Sequence, residues 1–87
     1  MNEKELEKIF KAVANRRRIM ILKYLKREHH ASVGDIAEEI KLSFRATSKH
    51  LSVLSNVGFL DKDQSGPSML YFIPENKKQL VSRLLAL

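Results

Sequence analysis

Apolar residues fall along the chain in a helical rhythm until Gly58, and then the rhythm changes. Leu6, Ile9, Phe10 and Val13 recur at i, i+3, i+4 and i+7, which predicts a helix over Asn2 to Ala14 with one apolar face. Asn2 is its cap, and Glu5 sits three residues on, as in a capping box. Asn15 breaks the pattern and caps a second helix from Arg16 to about Arg27. Ile19, Met20, Ile21, Leu22, Tyr24 and Leu25 leave it little polar surface, so it is expected to be the central buried helix.

Ser32 and Asp35 form another capping box. They open a short third helix whose stripe is Val33, Ile36, Ala37 and Ile40. After the tight Lys41-Leu42 connection, Ser43 caps a fourth helix over Phe44 to Val57, with Gly58 as a left-handed stop. Phe59 to Gln64 and Met69 to Ile73 then read as two strands around Ser65-Gly66-Pro67-Ser68, with Phe59, Met69, Tyr71 and Ile73 able to cover the core. Pro74 ends the hairpin, and Glu75 to Leu87 reads as a fifth helix. The expected fold is mainly α with a β-hairpin, in the order α-α-α-α-β-β-α, with a possible short extra strand at Ala31-Ser32.

Two short helices joined by a tight turn make a helix-turn-helix, whose second helix enters a major groove. The fourth helix has the two faces this demands. Leu51, Leu54 and Val57, with Thr47 and His50 beside them, lie on an inner stripe. Arg45, Ser48, Lys49 and Ser52 lie on the other, and no acidic residue occurs from Lys41 to Leu60. A solvated helix face ordinarily mixes both signs, whereas a phosphate-lined groove favours a face without acids. Arg45, in the first turn, can fork onto guanine O6 and N7. Lys49 can reach a guanine or a phosphate, and Ser48 can donate or accept. Thr47 either packs its methyl on a thymine or belongs to the core.

Charge supports this reading only through its placement. The 87 residues carry 16 Lys and Arg against 10 Asp and Glu, a net charge of +6. Such an excess steers polyanions toward a surface, although many small domains are basic for solubility alone. At 44% apolar residues the chain has enough for one folded domain, residues 1–87, with a core that a partner subunit would enlarge. Without cysteine there is neither a disulfide nor a thiolate metal site. The last helix has Glu75 but no histidine, and His29-His30 are adjacent in a loop, so neither a metal nor a cofactor is expected. No nucleophile–base pair or glycine-rich phosphate loop suggests an enzyme. No stretch is long and apolar enough for a bilayer and the N-terminus is charged, so a cytoplasmic protein away from membranes is expected.

The run A-N-R-R-R-I-M-I-L-K-Y-L, followed by L-S-F-R-A-T-S-K-H-L-S-V-L-S-N-V-G-F-L, resembles the ArsR-type (arsenic-repressor-like) regulators. The resemblance covers about Leu6 to Ile73. It implies a winged helix-turn-helix homodimer that binds double-stranded DNA and represses transcription, paired through its first and fifth helices. It places DNA contacts at Arg45, Thr47, Ser48 and Lys49, a structural arginine at Arg18, and His50 at a common position of the recognition helix. Phe44 stands where many relatives have a polar base reader; it either touches a thymine methyl or packs inward.

Ser52 on the outer stripe is a further candidate contact. The wing is a weaker one: Lys62 lies between Asp61 and Asp63, leaving Lys62, Gln64, Ser65 and Ser68 for phosphate. Arg16 and Arg17 open the second helix against its dipole, which suggests backbone contacts or ion pairs with glutamates such as Glu38 and Glu39. A winged-helix protein-interaction module without DNA binding is the alternative, favoured by Phe44 and the weak wing. RNA binding is a third option.

Overall fold

The computed structural model describes residues 1–87. Its elements are α1 (Glu3–Val13), α2 (Arg16–Glu28), β1 (Ala31–Ser32), α3 (Val33–Ile40), α4 (Phe44–Asn56), β2 (Asp61–Ser65), β3 (Ser68–Phe72) and α5 (Lys78–Leu85). A 3-10 turn, Glu75–Lys77, precedes α5.

The first four helices start where a side-chain oxygen is available to an orphan amide. Asn2, Asn15, Ser32 and Ser43 accept from the backbone N–H groups of Glu5, Arg18, Asp35 and Ala46 at 2.9, 3.1, 3.2 and 3.1 Å. Each bond satisfies a donor that has no partner inside its helix. The helix ends are equally local. Gly58 turns left-handed at φ 80°, and Phe59 N–H donates to Leu54 O at 3.0 Å, closing α4 with a Schellman turn. The chain then drops Phe59 into the interior with no exposed surface.

Ile21, Leu22 and Leu25 of α2 form the core with Ile36, Ile40, Leu51, Leu54, Phe59, Leu60, Ile73 and Val81. Helix α2 is thus central, but it is not buried all round as its composition suggested. Ile19 remains 37% exposed, on a face shared with Phe10 and α5. The last helix is also shorter than expected. Pro74 leads into the 3-10 turn, no side chain caps the start of α5, and Leu87 ends fully exposed.

The three strands are antiparallel in the order β1-β3-β2, so the short strand expected at Ala31-Ser32 is present. Ala31 opposes Tyr71 on one side of β3, and Lys62 opposes it on the other. Ser65 pairs with Ser68, which shrinks the connection to Gly66-Pro67. Gly66 has φ 59°, the positive value a primed hairpin turn needs at its first central residue. All five residues of β2 are exposed, and so is Met69, because the tip of the hairpin runs past the core. No helix is long and apolar enough to cross a membrane.

Candidate nucleic-acid interface

Helix α4 is held by its inner face. Thr47, Leu51 and Leu54 have no exposed surface, and α2 and α3 pack against the helix. Residues at i, i+4 and i+7 lie along one side of a helix, so burying these three fixes which residues face out. Arg45, Lys49, Ser52 and Phe44 are exposed, and Ser48 is half-buried. The ion pairs lie elsewhere, at Lys11–Glu7, Arg27–Glu28, Arg27–Glu39 and Lys78–Glu75, so neither Arg45 nor Lys49 is tied to a carboxylate.

Thr47 is a correction to the sequence-based expectation. Its full burial removes it from any surface that could meet a duplex, and its hydroxyl oxygen has no hydrogen-bond partner. The residue belongs to the core side of α4.

The arginine run divides by position. Arg18 donates through Nε to Ala12 O at 2.5 Å and through Nη2 to Lys11 O at 3.3 Å, closing off the last turn of α1. Its Nη1 lies 3.1 Å from His50 Nδ1 on α4. A guanidinium only donates, so His50 accepts through Nδ1 and carries its proton on Nε2. Burial, then the Arg18 and Arg17 charges, hold the His50 imidazole below its ordinary value of 6.5. Arg17 donates to Lys41 O at 3.3 Å, bracing the α3–α4 turn, where Lys41 is left-handed at φ 57°. Arg16 is exposed. None of the three pairs with Glu38 or Glu39; Glu39 lies 3.8 Å from Arg27 instead.

The wing offers little to an anion. Lys62 Nζ sits 5.8 Å from the centre of the Tyr71 ring, beside a cleft shared with Ser52 and Asn56. Gln64 Nε2 donates to Gly66 O at 2.7 Å, which draws that side chain back over its own turn. Ser65 and Ser68 are exposed at the tip. No group of three or more histidine, aspartate or glutamate side chains is placed to hold a metal ion.

This geometry is a surface helix with a bare cationic face, seated on a second helix and followed by a hairpin. Residues 15–62 match the model of the family described as bacterial regulatory protein, arsR family.

The chain belongs to the arsR family.

Its relatives span nearly its whole length. The transcriptional activator HlyU of Vibrio cholerae is 30% identical over 98% of this chain and 84% of its own. A cadmium resistance transcriptional regulatory protein CadC homologue of Staphylococcus aureus is 32% identical over 94% of this chain and 69% of its own. Among solved structures, the homodimeric winged helix-turn-helix DNA-binding domain Mb0332 of Mycobacterium bovis superposes with a TM-score of 0.86. It is 25% identical, over 95% of this chain and 77% of its own. As a member of the arsR family, the chain is a DNA-binding transcriptional regulator with a winged helix-turn-helix fold. The family consists of regulators, not enzymes.

The sequence places His50 beside the inner stripe of the fourth helix but shows no partner for it. Arg18 ends the arginine run that follows Asn15, but only the fold brings it to His50, across 32 residues.

Proposed function

We propose that this chain binds double-stranded DNA as a homodimer, with α4 in the major groove of each half-site, and represses transcription by occupying the site. The observation that carries the reading is the exposed, carboxylate-free pair Arg45 and Lys49 on a helix whose opposite side is locked into the core. Arg45 stands at the second helical position, where its fork can take guanine O6 and N7 together. Lys49 lies one turn further along and neutralises a phosphate or reads a second guanine. Ser48 and Ser52 donate from the same side. Lys62 is the wing's one cation for the backbone, and Gln64 plays a minor part at most. Repression is the effect that occupancy alone produces at a promoter.

The pairing surface is the groove between α1 and α5, floored by α2. Phe10, Val13, Ile19, Leu22, Leu84, Leu85 and Leu87 line it, with a volume of about 390 Å³. Phe10 is 54% exposed. An apolar surface of this kind costs free energy in water and is removed by a second copy. The Mycobacterium bovis neighbour, described as homodimeric, has the same fold. A twofold pair sets two recognition helices about 34–36 Å apart, one turn of duplex, and favours an inverted repeat.

The test is retardation of duplex DNA across a salt series, with the wild type and the Arg45→Ala and Lys49→Ala variants. Wild-type affinity should fall steeply with salt. Losing Arg45 should relax preference at one base pair by about 1–3 kcal/mol, and losing Lys49 should lower the salt slope by about one per phosphate contact. A double variant with unchanged affinity and preference would favour the protein-interaction reading instead.

A further inference from the structure

Phe44 is an apolar ring placed where the fold has no use for it. It is the first residue of α4, directly after the Ser43 cap, and is 62% exposed. The aromatic pair of the chain is His30 with Phe72, and the cations near rings lie over Tyr24 and Tyr71, so the Phe44 ring has no such partner. Packing inward, the alternative open from sequence, is excluded by that exposure. The helix start does not need the ring either, because Ser43 Oγ already accepts from Ala46 N–H at 3.1 Å. The exposed residues near it in sequence, Lys41, Ser43, Arg45 and Lys49, are cationic or polar.

A major groove presents acceptors, donors and one kind of apolar group, the C5 methyl of thymine. A ring carried into it by a cationic helix meets no other group that rewards its removal from water. We propose that Phe44 selects thymine by covering that methyl, and so sets part of the sequence preference of this protein. The inference rests on the duplex-binding reading above. Phe44 and Arg45 are neighbours, and their Cα atoms are about 3.8 Å apart, close to the ~3.4 Å rise of one base step. The thymine therefore lies within about two steps of the guanine read by Arg45.

The experiment begins with selection of duplexes from a random pool by the full chain. Each thymine of the selected half-site is then replaced singly by deoxyuridine, which removes the methyl and keeps the pairing edge. Wild-type protein should lose about fourfold in affinity at one position per half-site, the value of roughly one buried methylene. Phe44→Ala and Phe44→Gln should lose nothing there, whereas Phe44→Leu should keep part of the preference. Circular dichroism of the variants should match the wild type, since the ring is 62% exposed.

A half-site without thymine overturns the proposal. So does a deoxyuridine penalty that is absent from the wild type or equal in the Phe44→Ala protein. If wild type binds duplex through Arg45 yet ignores the methyl, this inference alone fails. If no duplex is retained at any salt, the reading beneath it fails as well.

Discussion

Arg18 Nη1 lies 3.1 Å from His50 Nδ1, joining the start of α2 to the middle of α4. The same guanidinium holds the carbonyls of Lys11 and Ala12 at the end of α1. One side chain thus ties α1, which lines the proposed pairing groove, to α4, the helix proposed to enter the duplex. Replacing Arg18 with Ala leaves two carbonyls and an imidazole nitrogen without this donor, at a cost of about 2–3 kcal/mol. Urea unfolding of the variant measures it.

The contact depends on a neutral imidazole. Burial and the Arg18 and Arg17 charges lower the His50 value in the folded chain, so just below pH 6.5 the unfolded chain holds more protons than the native one. This contribution to stability is complete above about pH 6.5 and is lost as the pH falls toward the lowered folded-state value. Thermal unfolding at intervals from neutral to mildly acidic pH should show the decline. His50→Gln, which keeps an acceptor but does not titrate, should flatten that part of the profile.

Thr47→Val should stabilise the protein by about 1 kcal/mol, because it removes a buried hydroxyl that has no partner. In a domain of this size that is about 4–8 °C in Tm. Duplex affinity should not change. Loss of binding without loss of stability would return Thr47 to the DNA-facing set.

Phe10→Glu places a charge in the proposed pairing groove without touching the core, since Phe10 is largely exposed. Sedimentation should then show monomers with intact helical content. Binding to an inverted repeat should weaken by about a hundredfold or more, as the second half-site no longer adds to the first. A Phe10→Glu protein that still sediments as a dimer would move the interface elsewhere.

His29 has φ 73° and ψ −50°, and the His30 N–H donates to Glu28 O at 2.9 Å, which makes a tight three-residue turn in a conformation unfavourable to side chains. His29→Gly relieves that strain and raises the entropy of the unfolded chain, for a net gain of about 1 kcal/mol. A fall in Tm would show that the histidine side chain contributes more than its backbone costs.

The elements most legible in the sequence were those fixed by neighbours. Asn2, Asn15, Ser32 and Ser43 announce their helices because capping needs only a short polar side chain and an amide three residues away. Gly58 is as local. The outward side of α4 was legible too, since Leu51 and Leu54 fix its rotation. Thr47 was harder: it lies on the inner stripe, four and seven residues before Leu51 and Leu54, but its short, half-apolar side chain suits either side. Ile19 was misplaced for a different reason. Apolar character alone does not distinguish a residue packed in its own core from one turned toward a groove with Phe10 and Leu84. The extra turn before α5 was missed because its lack of a capping side chain leaves no mark in the pattern.

Strand β2 closes one border of the sheet with nothing hydrogen-bonded beyond it, and the residues along it are Asp61, Lys62, Asp63, Gln64 and Ser65. An open border of this kind is a template on which further strands can add. Three successive charges and a polar end make it a poor one, since a like strand from another molecule would have to desolvate them. Association is thereby directed away from the ribbon, where growth would have no end, and left to the oily side of the molecule, the surface proposed to join two copies.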